Sequence, residues 1–206
     1  LAVDLGAESG RVMLGSLAVD RLAIEQLHRF PNQPVHLPTG LYWDTLRLYQ
    51  EIVEGLTIAG RERHLTPEGI GVDTWGVDFG LLGRVGALVD NPRHYRDPRT
   101  NGTMERAFAV IPKEEIFART GLQFMQINSL FQLYAMKLTW SPALDAARTL
   151  LFMPDLFNYF LTGQKRAEMT IASTSQFYNP AIAGWATDLL IGLLPDAGIL
   201  PDLIPA

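Results

Sequence analysis

The stretch LAVDLGAESGRVMLG, residues 1–15, determines the predicted fold of this chain. It contains an apolar run that carries one carboxylate, Asp4, and a second apolar run over residues 12–14, separated by small and polar residues. Two such runs joined by a short turn predict a β-hairpin. Gly6 and Gly10 are free to take positive φ angles and to leave backbone N–H groups pointing inward as a nest for an anion. An aspartate on a buried strand beside such a turn suits a magnesium–phosphate site.

Two other glycine-rich phosphate motifs do not fit this spacing. A P-loop requires G-x-x-x-x-G-K-[ST], but Arg11 and Val12 follow Gly10. A dinucleotide fingerprint opens a helix, whereas this sequence returns as a strand. The remaining pattern is D-L-G-x-x-S-x-R, which starts at Asp4 and is typical of a strand-turn-strand phosphate loop. The alternative is an ordinary hairpin with Asp4 at a strand end.

Composition excludes several classes of protein. With 206 residues and 48% hydrophobic content, the chain has enough material for a sizeable core in one large domain or two small ones. The net charge of −5 argues against a nucleic-acid partner. There is no Cys for a disulfide or a thiolate metal site, and the four His residues lack ligand spacing.

No apolar run reaches the roughly 20 residues that a transmembrane helix requires, and the first residues lack the pattern of a signal peptide. We therefore expect a cytoplasmic protein without a membrane partner. The sequence leaves the oligomeric state open. Because the chain opens in a strand pattern at Leu1 and closes on residues 201–206 as if on a connection, a fragment of a longer protein is expected.

The remaining first half predicts one more strand and one helix. Residues 21–30 alternate loosely as a third antiparallel strand, and prolines then argue against regular structure up to Gly40. Asp44 is expected to cap a helix whose apolar stripe ends near Gly60. The prolines concerned are Pro31, Pro34 and Pro38.

The segment GIGVDTWGV, residues 69–77, predicts a second buried strand that carries a carboxylate, Asp73, towards its end. Residues 79–82 continue as a strand and residues 87–89 are expected to return as its hairpin partner. A strand-helix-strand order after three antiparallel strands predicts an α/β fold with a mixed sheet and helices on both faces.

The second half of the sequence is mostly helical in pattern. Pro154 is expected to begin one helix, and Gly163 to end it as a C′ residue. Residues 168–175 are β-branched and polar. The helices are predicted at residues 104–110, 113–119, 128–138, 141–149, 154–162 and 185–194.

Six segments match one known family in the family's order. They are AVDLGAESGRVML, HRFPNQP, GVDTWGVDFGLL, HYRDPRTNG, IFARTGLQFMQINSLFQLYA and MPDLFNYFLTG. Together they cover nearly the whole chain and resemble the N-terminal half of the FGGY family of carbohydrate kinases. The resemblance implies an actin-like, ribonuclease-H-like domain over residues 1–206, with a C-terminal partner domain beyond it. It also implies phosphorylation of a ketose hydroxyl by ATP with Mg²⁺.

On the phosphate side, the resemblance implies a magnesium-linked aspartate and a phosphate loop. Phosphoryl transfer needs the metal positioned and the phosphate charge neutralised. Asp4 matches the family's magnesium aspartate, acting through water. Glu8 departs from the Ser or Thr of many relatives, and for Arg11 a surface arginine on a strand face is the alternative. The residues that match the loop are Ala7, Glu8, Ser9, Gly10 and Arg11.

On the sugar side, Gly76 matches the family's sugar-contacting glycine, where a missing side chain permits close approach of a ligand. Trp75 either offers its ring to the sugar or is a core tryptophan. Asp73 and Asp78 either accept hydroxyl hydrogen bonds or cap a turn. Weaker candidates are Arg96 and Asp97, for which a mutual surface ion pair is favoured, and Ile171 replaces the Asn or Asp of relatives.

No catalytic residue is expected in this chain. In the family the base that removes the proton from the sugar hydroxyl is the Asp of a His-Asp motif in the second half, so it is expected beyond Ala206, and no His-Asp pair occurs in these 206 residues. The chain alone is therefore expected to be inactive. The alternatives are a kinase for another sugar, or an actin-like module that binds nucleotide without catalysis. The DTWGVDF window favours a kinase, since a module that only binds nucleotide does not need residues that contact a sugar.

Overall fold

The computed structural model describes residues 1–194 and 198–205. Its strands are β1 (Ala2–Leu5), β2 (Ser9–Ala18), β3 (Arg21–Pro31), β4 (Val35–Leu37), β5 (Gly40–Tyr42), β6 (Gly71–Thr74), β7 (Phe79–Leu82), β8 (Thr149–Phe152), β9 (Ala167–Glu168), β10 (Tyr178–Asn179), β11 (Gly184–Trp185) and β12 (Leu203–Ile204). Its α-helices are α1 (Thr45–Thr57), α2 (Thr103–Phe108), α3 (Lys113–Thr120), α4 (Ser129–Leu138), α5 (Pro142–Ala146), α6 (Met153–Thr162), α7 (Met169–Ala172) and α8 (Thr187–Leu193).

The chain divides into two units. Unit 1 contains residues 1–35 and 43–75, and unit 2 contains residues 36–42 and those from Gly76 onward. No helix in the described part of the chain is both long and apolar enough to cross a membrane.

Unit 1 is built on a four-stranded sheet in the order β3-β2-β1-β6. β1 pairs antiparallel with β2, β2 antiparallel with β3, and β1 parallel with β6. The predicted mixed sheet, with three antiparallel strands leading, is therefore confirmed. The register places Asp4 opposite Arg11 on one side and Asp73 on the other.

Helix α1 packs against this sheet through a glycine. A Cβ atom at Gly55 would lie 2.3 Å from Cγ2 of Val12, so only glycine allows so close an approach. Asp44 caps the helix, as predicted, because its Oδ1 accepts a hydrogen bond from the Arg47 amide at 3.2 Å. The helical path continues beyond Gly60 in a π-helical turn, Ile58–Glu62.

The prediction of irregular structure from Pro31 to Gly40 was wrong. β4 and β5 form a short two-stranded sheet there. Pro34 and Pro38 flank β4 rather than lie within it, so neither removes a hydrogen-bond donor from that strand.

Unit 2 contains a two-stranded sheet, β7 with β8, whose pairing the sequence did not predict. β7 pairs antiparallel with β8, and the expected partner, residues 87–89, contributes only the bridge between Leu82 and Leu88. All four residues of β7 are buried, so the strand needs an apolar partner, and β8 supplies three buried residues. The helix predicted at residues 141–149 accordingly ends early, at Ala146.

Other helices of unit 2 follow the sequence pattern closely. Gly163 ends α6 in the left-handed conformation, with φ at 75°, as predicted. The core includes Phe131 of α4, Phe152 of β8 and Phe177, none of which is exposed.

The last segment of the chain, residues 201–206, was expected to form a connection. Within this segment β12 pairs in parallel with β9, and the connection itself stays a prediction. Ala206, beyond which the catalytic base is expected, lies outside the described residues.

A buried carboxylate on α6 makes the stability of the chain depend on pH. Asp155 is only 4% exposed, and burial raises the pKa of its carboxyl to about 7, although the Glu168 amide donates to its Oδ1 at 3.1 Å. The unfolded chain releases this proton near its ordinary pKa of 3.8, whereas the folded chain retains it up to about 7. The protonated side chain's contribution to stability is therefore lost as pH rises through that interval and stays lost above it.

We expect Asp155→Asn to imitate the protonated carboxyl at every pH. The variant should melt within a degree or two of the original protein at pH 4 and about 5 °C or more above it at pH 8. Melting temperatures across this range are the measurement. Asp145→Asn, which changes an exposed carboxylate on α5, is the matched control. A constant difference between the Asp155 variant and the original protein would contradict the prediction.

Candidate functional site

In unit 1, the predicted magnesium aspartate lies beside a second aspartate. Asp4 points away from the buried face of β1, and its Oδ2 accepts a hydrogen bond from Arg11 Nε at 2.8 Å. Both side chains of this pair are about half exposed. Asp73 occupies the paired position on β6 and is exposed. Its side chain makes no hydrogen bond or ion pair with any residue that the structure describes.

This carboxylate pair fits a magnesium ion. Mg²⁺ prefers oxygen ligands, keeps several of its waters and is commonly held by one or two carboxylates together with substrate phosphates. Asp4 Oδ1 accepts no hydrogen bond from the described residues, so it remains available to the ion or its waters. In residues 1–194 and 198–205, no group of three or more His, Cys, Asp or Glu side chains forms an all-protein metal site. Asp4, with Asp73 beside it, would thus share the ion with phosphate.

The loop between β1 and β2 is fixed by an asparagine that the sequence analysis missed. The Gly6 amide donates to the Ser9 carbonyl at 2.9 Å and closes the loop. Asn32, only 2% exposed, donates from Nδ2 to the Gly6 carbonyl at 2.8 Å and from its amide to the Glu8 carbonyl at 2.9 Å. The segment HRFPNQP contains this residue, but a single asparagine has no spacing that would mark it. Asn32 therefore sets the loop's shape.

Gly6 and Gly10 do not use their freedom to take positive φ angles, since neither residue has one. Gly10 is needed for packing, because a Cβ there would lie 2.3 Å from the Phe30 ring. The amides of Ala7 and Glu8 nevertheless donate to no acceptor within the described ranges. Such free N–H groups are what a phosphate oxygen requires. The Glu8 side chain is exposed to solvent.

Trp75 is neither a fully buried core residue nor a free surface ring. Its ring packs against that of Trp43, with centroids 3.9 Å apart and planes inclined at 33°. Trp43 is completely buried, while Trp75 remains partly exposed. The ring of Trp75 is thus anchored within unit 1 and keeps some surface for a ligand.

In unit 2, Gly76, Val77 and Asp78 form a γ-turn. The Asp78 amide donates to the Gly76 carbonyl at 2.9 Å, and Val77 at the centre has φ of 68°. Positive φ at the centre marks the rarer and strained form of the γ-turn, and a β-branched residue makes it more unfavourable. The strain is of the order of 1–3 kcal/mol. Other contacts must therefore hold this turn.

Gly76 has a close neighbour within unit 2. A Cβ there would meet the side chain of Thr174, with Oγ1 at 3.3 Å and Cγ2 at 3.4 Å. The missing side chain thus gives room to Thr174, while the close approach of a ligand to Gly76 stays a prediction. The turn and the segment around Thr174 pack together because residue 76 is glycine.

Asp78 supports the turn from the inside. It is 1% exposed, its Oδ2 accepts from the Tyr95 amide at 3.1 Å, and its Oδ1 accepts from Gln132 Nε2 at 2.8 Å. These contacts match the turn-capping alternative for Asp78. They also link the turn to α4, which carries Gln132, and to Tyr95, neither of which the sequence analysis chose as a site residue.

The predicted surface ion pair between Arg96 and Asp97 was wrong. Asp97 is 3% exposed and points inward, where it accepts hydrogen bonds from the Leu41 amide at 2.7 Å and the Arg99 amide at 2.9 Å. Its ionic partner is Arg93, at 3.5 Å. Arg96 is exposed, with its guanidinium 5.2 Å from the centre of the Tyr95 ring. Asp97 turns inward because it caps a short 3₁₀ turn, Pro98–Thr100.

Two basic side chains, a buried His94 and a partly buried Arg99, complete this region of unit 2. Burial, reinforced by the Arg96 charge, lowers the pKa of His94 to about 4, so its ring is neutral at pH 7, and Nδ1 accepts from the Arg96 amide at 3.0 Å. Burial also lowers the pKa of Arg99 to about 10, which still leaves the guanidinium charged. Arg99 Nη2 donates to Gln132 Oε1 at 2.6 Å.

The mixed sheet, its phosphate-type loop and its paired aspartates define an α/β domain of the actin-like ATPase class. A family model described as the N-terminal domain of the FGGY family of carbohydrate kinases matches residues 1–206. The chain belongs to the FGGY family of carbohydrate kinases.

Relatives of known name agree with this family. The chain is 47% identical to a rhamnulokinase of Bacteroides thetaiotaomicron over 86% of its own length and 36% of that protein. It is 40% identical to a rhamnulokinase of Oceanobacillus iheyensis over 100% of its own length and 43% of that protein. The chain thus spans about two-fifths of the length of these relatives.

Solved structures show the same fold. A xylulose kinase from Rhodospirillum rubrum superposes with a TM-score of 0.83 at 22% identity, covering 98% of this chain and 42% of that one. A ligand-bound xylulose kinase from Lactobacillus acidophilus gives 0.82 at 16% identity, covering 99% and 42%. These structures confirm the actin-like fold that the sequence predicted.

Proposed function

We propose that the protein containing this chain transfers a phosphoryl group from ATP to a hydroxyl of a ketose, converting L-rhamnulose to L-rhamnulose 1-phosphate in rhamnose catabolism. The observation that supports this substrate most strongly is identity of 40% and 47% to proteins named rhamnulokinase, along most or all of the chain. Membership of a carbohydrate kinase family supports the reaction class.

The phosphate side belongs to unit 1. Asp4 is assigned to Mg²⁺, and residues 7–11, Ala7 to Arg11, to the phosphates of ATP. Bound Mg²⁺ neutralises negative charge on the phosphates. Support comes from the free amides of Ala7 and Glu8 and from the Arg11 guanidinium, which lies next to Asp4 at 2.8 Å and adds positive charge.

We assign the sugar side to two groups of residues, which differ in their exposure. Gly76 and Arg96 lie at accessible positions of unit 2, whereas Asp78 and Asp97 are buried and act through the backbone that they hold. In unit 1, Asp73 and Trp75 keep exposed surface and remain candidates for hydroxyl and ring contacts.

The catalytic base has no assigned residue in this chain. The family resemblance assigns it, together with the rest of the nucleotide site, to a C-terminal domain beyond Ala206. The partial coverage of the two rhamnulokinases supports such a domain.

A substrate panel tests this function directly. ADP release by the full-length protein would be coupled to a dehydrogenase assay, with L-rhamnulose, D-xylulose, D-gluconate and glycerol as acceptors. We expect kcat/KM for L-rhamnulose to exceed the others by at least about tenfold, since sugar kinases discriminate through contacts to individual hydroxyls. A higher kcat/KM for another acceptor would contradict L-rhamnulose as the substrate and would identify that acceptor instead. No turnover with any acceptor would favour a non-catalytic nucleotide-binding module.

Replacing Gly76 by Val should weaken sugar binding selectively. The Cβ would already lie 3.3 Å from Thr174 Oγ1, so the two γ-methyl groups must displace the turn. We expect KM for the sugar to rise by about tenfold or more and KM for ATP to change by less than about twofold. Gly69→Val is the control, because a Cβ added at that position would have no atom within 4 Å. Equal changes in both KM values would assign Gly76 to the fold alone.

A further inference from the structure

The strained residue at the centre of the γ-turn has its two backbone polar groups bound by side chains. The Val77 amide donates to Thr174 Oγ1 at 3.3 Å. The Val77 carbonyl accepts from Ser129 Oγ at 2.6 Å and, at 3.3 Å, shares a hydrogen of Gln132 Nε2, whose two hydrogens also serve Asp78 Oδ1 and the Ile127 carbonyl. These three side chains come from distant parts of the sequence, 52 to 97 residues away. The turn is thus held from outside by side chains.

Each of the three side chains is itself fixed. Thr174 donates to the Ile171 carbonyl at 2.8 Å, which orients an acceptor lone pair of Oγ1 towards the Val77 amide. Ser129 is fully buried at the start of α4. Gln132 receives a hydrogen bond from Arg99 at 2.6 Å and donates to the Ile127 carbonyl at 2.9 Å. These contacts keep the three side chains in place, so they would not move with the turn if its conformation changed.

We propose that Ser129, Gln132 and Thr174 are positioning residues for the sugar. They hold Val77 at positive φ and thereby fix the orientation of the neighbouring Gly76 peptide. The inference rests on the proposed function, in which Gly76 contacts the sugar. Without these hydrogen bonds, a valine returns to negative φ, because the β-branched side chain disfavours the left-handed region. The Gly76 peptide then changes direction and its contact to the sugar is lost.

The test uses the full-length protein and Thr174→Val, which removes the hydroxyl but keeps the shape of the side chain. We expect KM for L-rhamnulose to rise about tenfold, because a net contribution of about 1.4 kcal/mol from one hydrogen bond corresponds to a factor of ten. KM for ATP should change by less than about twofold, and Thr174→Ser should restore the sugar KM. If the Thr174 hydroxyl served only the fold, its removal would change the KM values for sugar and ATP to the same extent.

Ser129→Ala tests the same turn from α4 and keeps the inference open to refutation if the Thr174 variant does not fold. Loss of the Thr174 hydroxyl and loss of the Ser129 hydroxyl both release Val77. The sugar KM of the double variant should therefore rise by less than the product of the two single effects. Thr162→Val is the matched control, since Thr162 likewise donates to a carbonyl, of Asn158, and accepts from an amide, of Gln164, but lies away from the turn.

Unchanged sugar KM in folded Thr174 and Ser129 variants would overturn the inference, as would equal increases in the KM values for sugar and ATP. Absence of turnover in the unaltered protein would instead contradict the proposed function. Turnover of L-rhamnulose by the unaltered protein therefore distinguishes a failure of the inference from a failure of the proposed function.

Discussion

Asp4→Asn in the full-length protein is expected to lower kcat by about 100-fold, as is typical when a residue that orients a metal through its waters is lost. The amide has the shape of the carboxylate but lacks its charge, so Mg²⁺ and the phosphates lose their partner. The change in stability should be small, because the ion pair between Asp4 and Arg11 is half exposed and such pairs contribute about 0–1 kcal/mol. The melting temperature should fall by no more than about 4 °C.

Three measurements isolate this effect. Steady-state kcat and KM are determined over a series of Mg²⁺ concentrations, and the melting temperature is recorded without ligands. Asp20→Asn, which alters an exposed carboxylate at the β2–β3 turn, is the control. Asp73→Asn then shows whether the neighbouring carboxylate shares the ion, through a shift in the Mg²⁺ dependence. If Asp4→Asn retains full kcat, Asp4 is an ordinary strand-end aspartate.

The sheet of unit 1 was predictable because its signals are local. The apolar runs around Asp4 and residues 12–14 are adjacent in the sequence, and β2 and β3 pair through a short turn. The cap at Asp44 and the glycine after α6 follow from residue chemistry at one position. The parallel pairing of β6 with β1 joins residues far apart in the sequence, and the prediction of a mixed sheet did not specify it.

What the sequence did not show depends on partners far along the chain. Strand β8 was missed: residue 149 was placed at the end of a helix and residues 150–152 were given no structure, because a short apolar run fits either a helix or a strand. Its role as partner of β7 arises only in the folded unit. Asn32 fixes the phosphate-type loop across 26 residues through one side chain. The positive φ of Val77 could not be expected of a valine.

The error at Asp97 has a general physical basis. Adjacent opposite charges in the sequence suggested a pair with Arg96, but Arg96 lies in a turn that the Asp97 amide closes by donating to the His94 carbonyl at 2.8 Å, and it stays exposed while the Asp97 side chain is buried. Arg93, four residues away, is the actual ionic partner, and two amides bind the carboxylate. Burial of Asp97 thus depends on backbone donors that no spacing of charges reveals.

The 206-residue chain alone is expected to fold but to show no sugar-dependent release of ADP. The family resemblance places the catalytic base in a His-Asp motif of the second half, beyond Ala206, and no His is followed by Asp here. Loss of a general base costs about 10²- to 10⁴-fold in rate, before any loss of orientation and water exclusion is added. The chain also spans only 36% and 43% of the two rhamnulokinases it resembles.

A coupled assay of the isolated chain against the full-length protein, at equal concentration, measures this difference. Circular dichroism tests whether the chain is folded. A thermal shift with L-rhamnulose or with ATP tests which ligand the chain binds, since the stabilisation by a ligand follows RT ln(1 + [L]/Kd). Of the two aspartates that could replace the missing base, Asp78 is 1% exposed, with both oxygens engaged, whereas Asp73 is exposed. Sustained turnover that disappears in Asp73→Asn would therefore place the base in this half of the protein.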